Sequence, residues 1–258
     1  MPPETFDQTK TALLALGGQR VWSLMVSLFG DLALTEGSTI DGPVLTAVMG
    51  TMDIRPEAVR VALHRLRNDG WIVSHKHGRT RRHSLTKASR AETVKASAHI
   101  FAAPAAQDSQ WQLALLDDAD TTSRETMEKR GFAQLLPRVY LGALGAQAPE
   151  NALSLSGRSA PQWIRQQIGQ QMLEVEYTTL LPILETAEKT LMAGHLDPLQ
   201  TAVLRCLIVH NWRRIVLRHP ALPPALLPDD WAGHRCHLRV IRLLNRFPRP
   251  PLIHIAPT

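Results

Sequence analysis

Apolar positions fall into helical register early in the chain. Val21, Leu24, Met25 and Leu28 lie at i, i+3, i+4 and i+7, the stripe by which an amphipathic helix meets a core. They predict a helix over residues 20–28, closed by Gly30-Asp31, while the residues before Gly17 form a leader whose packing the pattern leaves open. After the polar stretch TEGSTIDGP, Asp41 and Pro43 mark a second helix start. Val44, Leu45 and Val48 form its apolar face and Gly50 its end. A third helix begins in RPEAVRVALHRLRND. Pro56 suits a first helical turn, where its missing N–H has no partner to lose, and Val59, Ala62, Leu63 and Leu66 repeat the stripe. Gly70 ends the helix, and Trp71 is expected to anchor the next strand in the core. The period then changes: WIVSHKHGRTRRHSL forms two strands, residues 71–75 and 81–85, turning at Gly78. Thr86 is placed to cap a helix reaching about residue 100. Helix, helix, helix, hairpin is the order of a winged helix-turn-helix, whose second motif helix lies in the major groove.

Beyond a low-complexity break at residues 102–107 (AAPAAQ), the pattern predicts a strand at 111–116, a short helix at 121–131, a strand at 135–144 and a weak strand at 152–156. A second boundary falls at residues 157–161. Helices follow at 163–192, with Pro182 kinking or dividing the first, and at 198–218. HPALPPALLPDDWAGH holds too much proline to be helical throughout. A last helix spans 237–247, with Leu238, Ile241 and Leu243 or Leu244 apolar, before an extended tail. The expected fold is mainly α with α+β parts: a winged helix-turn-helix domain over 17–101, a small α+β domain over 108–157 and a helical C-terminal domain over 160–258.

Charge sharpens this picture. Residues 55–90 carry ten Lys or Arg against two acids, Glu57 and Asp69, hence +8, whereas the whole chain is +6. The basic excess is local, the electrostatic footprint of a phosphate-backbone partner. Arg60, His64 and Arg67 share a face of the third helix that is not its apolar face, and are expected in the major groove, with Arg55 at the helix start. Lys76, Arg79, Arg81 and Arg82 crowd the hairpin and are expected on phosphates, which gives affinity more than sequence choice. Double-stranded operator DNA is thus the expected partner, bound by a homodimer because one recognition helix covers too few base pairs. A protein-interaction module, the competing function, needs no +8 patch; a DNA-binding regulator without an effector stays open.

Composition excludes other classes. Hydrophobic content of 44% with 20% charged residues is ordinary for a globular chain. No apolar run approaches the roughly 20 residues of a spanning helix, and MPPETFDQTK lacks the basic-then-apolar order of a signal peptide; a cytoplasmic protein without membrane contact is expected. Cys206 and Cys236 lie far apart, without a zinc or disulfide framework. His75, His77 and His83 sit among cations without acids, a setting that opposes a metal ion, and are expected to supplement the basic surface. No GxSxG, HExxH or phosphate loop occurs, and Glu174 and Glu176, two apart on a helix, point away from each other. The expectation is a non-enzyme without metal or cofactor.

Three stretches carry a resemblance: VRVALHRLRNDGW (59–71), GFAQLLPRVYLG (131–142) and LIVHNWRRIVLRHPALPPALLPDDWAG (207–233). Over residues 20–245 the chain resembles the PaaX family of bacterial repressors of phenylacetate catabolism. The first stretch is similar to the family's recognition helix running into its wing, the second to its central segment and the third to its C-terminal signature. The resemblance implies a dimeric repressor with a ferredoxin-like central domain, released from its operator by an acyl-CoA, phenylacetyl-CoA. The chain departs from the family pattern at Asn211, where an acid is usual, at His219, where Asp is usual, and at His83, which replaces an aromatic. For such an effector, His210, Arg214 and Arg218 share one helical face at i, i+4 and i+8, with Arg213 flanking. They form a candidate anion clamp, since guanidinium pairs bidentately with phosphate; the competing account is cations favoured near a helix C-terminus by its dipole.

Overall fold

The leader before Gly17 is a helix, and it packs. In the computed structural model, which describes residues 3–103, 110–172 and 174–255, α1 (Pro3–Ala15) buries Phe6 and Leu13. The chain forms two compact units. One comprises Met1–Ala102, Pro182–Arg213 and Arg239–Thr258; the other comprises Ala103–Leu181 and Arg214–Leu238. Most of the break expected at 102–107 lies outside the described residues.

In the first unit, α2 (Val21–Leu32) runs past the expected stop at Gly30-Asp31. Gly30 does not break it because the glycine serves close packing: a Cβ there would sit 3.1 Å from Thr93 Cγ2 on the helix over residues 87–100. Asp31 is buried against Arg205. A two-residue strand, β1 (Ile40–Asp41), precedes α3 (Gly42–Thr51), which buries Val44, Leu45 and Val48 as the pattern requires. Then come α4 (Pro56–Asn68), β2 (Ile72–His77), β3 (Thr80–Leu85) and α5 (Lys87–Ile100). The three strands form an antiparallel sheet in the order β1-β3-β2, with Ile40 opposite His83 and Lys76 opposite Arg81. Gly78 takes φ 58° at the turn, a left-handed conformation that glycine adopts without strain. Ile72 and Leu85, rather than the half-buried Trp71, carry the hairpin into the core. The Thr86 hydroxyl caps α5 as expected, accepting from Ser89 N–H at 3.2 Å. In α9 (Pro198–Val216), burial runs unbroken from Ala202 to Trp212, as in a helix enclosed on all sides.

The second unit contains β4 (Trp111–Leu115), α6 (Arg124–Lys129), β5 (Phe132–Leu136), β6 (Val139–Ala143) and β7 (Leu153–Gly157). Its sheet is antiparallel throughout, in the order β5-β6-β4-β7. The single strand expected at 135–144 is a hairpin: the chain reverses at Pro137-Arg138, with Arg138 at φ 64°. Ala114, Leu116, Met127, Phe132 and Tyr140 form the core between this sheet and α6. The long helix expected at 163–192 divides into α7 (Gln162–Gln171) and α8 (Glu174–Leu191), but not at Pro182, which lies inside α8. The division comes at the buried Met172, which leaves helical geometry at ψ 38°. Tyr177, Leu180, Leu181 and Leu184 are all buried around Pro182, so burial overrides the local preference against an internal proline. The proline-rich segment holds a 3-10 turn at Pro224–Leu226, and α10 (Ala232–Arg246) starts five residues before the expected 237. The tail expected to be extended forms a second 3-10 turn at Leu252–His254. No helix among the described residues is long and apolar enough to cross a membrane.

Candidate nucleic-acid interface

Burial of Val59, Ala62 and Leu66 fixes which side of α4 faces outward. Glu57, Arg60, Val61, His64 and Asn68 are exposed, and Arg67 is half-buried at the side. Arg60 Nη2 reaches Glu57 Oε1 at 2.7 Å, one turn away on the exposed surface. Such pairs are worth at most about 1 kcal/mol, so Arg60 exchanges readily to another acceptor. His64 Nδ1 lies 3.3 Å from Asn68 Nδ2. Arg65 is held between Asp69, at 3.4 Å, and the Trp22 ring, whose centroid lies 4.8 Å from its guanidinium carbon. Arg55 is exposed at the N-cap of α4.

The hairpin adds Lys76, Arg79 and Arg81, all exposed. Lys76 and Arg81 stand directly opposite each other in the register, a like-charge arrangement that disfavours the free state and that an anion between them relieves. Arg82 differs from its neighbours. Its Nε is 3.1 Å from Asp41 Oδ1, so the Asp41 carboxylate ties β3 to β1, and no side-chain cap is present on α3.

His83 departs from the expected basic surface. It is 3% exposed, and its Nδ1 lies 2.8 Å from the Ser74 hydroxyl. Burial pushes its pKa below the ordinary 6.5, and the cations of Arg67 and Arg81 push the same way against a smaller pull from Asp41. A neutral imidazole therefore fixes the hairpin beneath the arginines. The signal was present in the sequence: His83 precedes Leu85 by two residues and so shares its inward face.

The α9 stripe divides between the two units, His210 and Arg213 in the first and Arg214 and Arg218 in the second. His210 is fully buried, with Nδ1 3.2 Å from the Ser27 hydroxyl on α2. Arg213 donates from Nε to Ser27 Oγ at 2.6 Å, and from Nη2 to Ser23 Oγ at 2.7 Å and Ser23 O at 2.9 Å. Both bind α9 to α2 within the first unit. Arg214 is half-buried, and Arg218 pairs with Glu176 at 3.0 Å in the second unit. Two of the residues that depart from the family pattern also make specific contacts. Asn211 donates from Nδ2 to the Leu13 carbonyl at 3.2 Å, holding the end of α1, a bond that a carboxylate cannot donate. His219 Nε2 lies 2.5 Å from the Tyr177 hydroxyl. The second unit also has an open cleft of about 410 Å³, lined by Leu115, Asp117, Asp118, Arg138 and Asn151 among others. Its two carboxylates oppose a phosphate-bearing ligand.

Residues 20–89 match the family model for PaaX-like proteins, and residues 169–250 match the model for the PaaX-like protein C-terminal domain. The transcriptional repressor PaaX of Escherichia coli (strain K12) is 27% identical over 274 residues, covering 94% of this chain and 84% of that protein. The solved structure of the uncharacterized protein Rv0674 from Mycobacterium tuberculosis aligns with a TM-score of 0.51 at 20% identity, covering 87% of this chain and 95% of that one; this likeness concerns the fold alone.

Proposed function

This chain belongs to the PaaX-like family, and we propose on that premise that it is a DNA-binding transcriptional repressor rather than an enzyme. In this reading residues 17–101 are the winged helix-turn-helix domain, 108–157 a ferredoxin-like central domain and 160–258 a helical C-terminal domain. The β4-α6-β5-β6-β7 order supports the central assignment: β4 and β5 flank β6, as in a split βαβ unit. The connection from β6 to β7 carries no helix.

The single observation that carries the proposal is the shared exposure of Arg55, Arg60 and His64 on α4 with Lys76, Arg79 and Arg81 on the hairpin, where the acids of the same stretch of chain, Glu57 and Asp69, are both already paired. In the complex, α4 lies in the major groove with Arg67 at its flank, and the hairpin contacts phosphates. Arg82 supports the hairpin through Asp41 and reaches the backbone only at its edge. The repressor acts as a two-fold homodimer in the cytoplasm, on genes of aromatic (phenylacetate) catabolism, and phenylacetyl-CoA releases it. Arg214 and Arg218 are the effector's anion contacts, while His210 and Arg213 hold α9 to α2 within the first unit. The test is binding to the promoter fragment of the operon adjacent to the chain's own gene, with and without phenylacetyl-CoA. Tight binding lost on adding the thioester is expected; absence of binding to that fragment at moderate salt would contradict the proposal.

A further inference from the structure

Val61 is the apolar residue of α4 that points outward. It is 70% exposed, whereas Val59, Ala62 and Leu66 are buried and Ala58 and Leu63 half-buried. Single apolar residues on a surface are common, but Val61 does not stand alone. Val61 shares its face with Arg60, His64 and Asn68, and lies in the first half of the helix, the part that recognition helices bring to base edges. One turn on, Arg65 pairs with Asp69 and lies over the Trp22 ring. A β-branched side chain is stiff at χ1, which holds its two methyl groups in place before any contact. The major-groove edge of a thymine carries one apolar feature, the 5-methyl group, and polar residues such as Arg and Asn read the edges of G and A beside it.

We propose that Val61 is a specificity-determining residue that packs against the 5-methyl group of a thymine in the operator. This rests on the DNA-binding reading above. It can be tested without knowing the operator sequence. The promoter fragment is amplified once with dTTP and once with dUTP, which removes only the 5-methyl groups and leaves base pairing intact, and affinity for each fragment is measured by fluorescence anisotropy. The parent protein is expected to bind the uracil fragment about fourfold more weakly per contacted methyl, the equivalent of roughly 0.8 kcal/mol for one buried methyl-sized group. Val61→Ala should bind the thymine fragment more weakly by a similar factor and lose most of the discrimination, and Val61→Ile should keep it. Equal binding of the parent to both fragments, or full discrimination retained by Val61→Ala, would overturn this inference and leave the DNA-binding reading standing. A parent that binds neither fragment would overturn both.

Discussion

Asp31 and Arg205, 174 residues apart, make a buried ion pair within the first unit. The Arg205 guanidinium meets the carboxylate through two bonds of 2.7 Å, Nε to Oδ2 and Nη2 to Oδ1, with both side chains almost wholly buried. Its Nη1 donates to the carbonyls of Leu244, at 2.8 Å, and Phe247, at 2.6 Å. Arg249 reaches Oδ1 at 3.0 Å from a half-exposed position. In Asp31→Ala, Arg205 keeps its two carbonyl acceptors but loses its counter-charge. A buried cation left in that state costs about 3–5 kcal/mol, whereas the lost contact with the exposed Arg249 adds at most about 1 kcal/mol. The expected result is a loss of about 3–5 kcal/mol in urea unfolding followed by circular dichroism. The double variant Asp31→Leu with Arg205→Met removes both charges, so it should cost clearly less than the sum of the single variants. A loss below about 1 kcal/mol for Asp31→Ala, or a double variant as costly as that sum, would show that Arg205 does not depend on this counter-charge.

Other expectations can be checked separately. Because burial and the Arg67 and Arg81 cations hold the folded His83 pKa below 6.5, the unfolded chain takes up a proton that the folded one resists. Stability from this residue is therefore fully present above about pH 6.5 and declines as pH falls toward the lowered value. His83→Phe should flatten that part of the stability–pH curve, and an unchanged curve would show that His83 does not report on it. Thr86→Ala removes the cap on α5 and should cost about 1 kcal/mol in the same urea assay; an unchanged midpoint would contradict the capping role. Arg214→Ala is expected to raise the phenylacetyl-CoA concentration needed to release promoter DNA several-fold, and release at the parent's concentration would make the arginine structural.

What the sequence disclosed depended on how local each feature is. The helix–helix–helix–hairpin order was legible because each of those helices buries a stripe of closely spaced apolar residues. The helix before Gly17 was not, since Phe6 and Leu13 are separated by polar residues and carry little periodicity. A two-residue strand such as β1 has no pattern to detect. The β5–β6 hairpin was merged into one strand because an apolar run continues through Pro137, and nothing in the sequence marks Arg138 for a left-handed turn. The α9 stripe was visible, but a helical wheel cannot tell which face another helix covers. Ser23 and Ser27, four apart on α2, are the complementary partners of Arg213 and His210, and only the folded chain brings them together. The pairing of Asp31 with Arg205 likewise has no local signal.

Contact between the hairpin's exposed cations and DNA phosphates is read from the salt dependence of promoter binding. Each phosphate contact contributes a slope of about −0.9 to the plot of log affinity against log salt. Replacing Arg79 and Arg81 with Ala should therefore lower the magnitude of the slope by about 2 and weaken unrelated DNA sequences to the same extent. Replacing Arg82, already engaged by Asp41, should change the slope less. A double variant whose slope equals the parent's would contradict the claim.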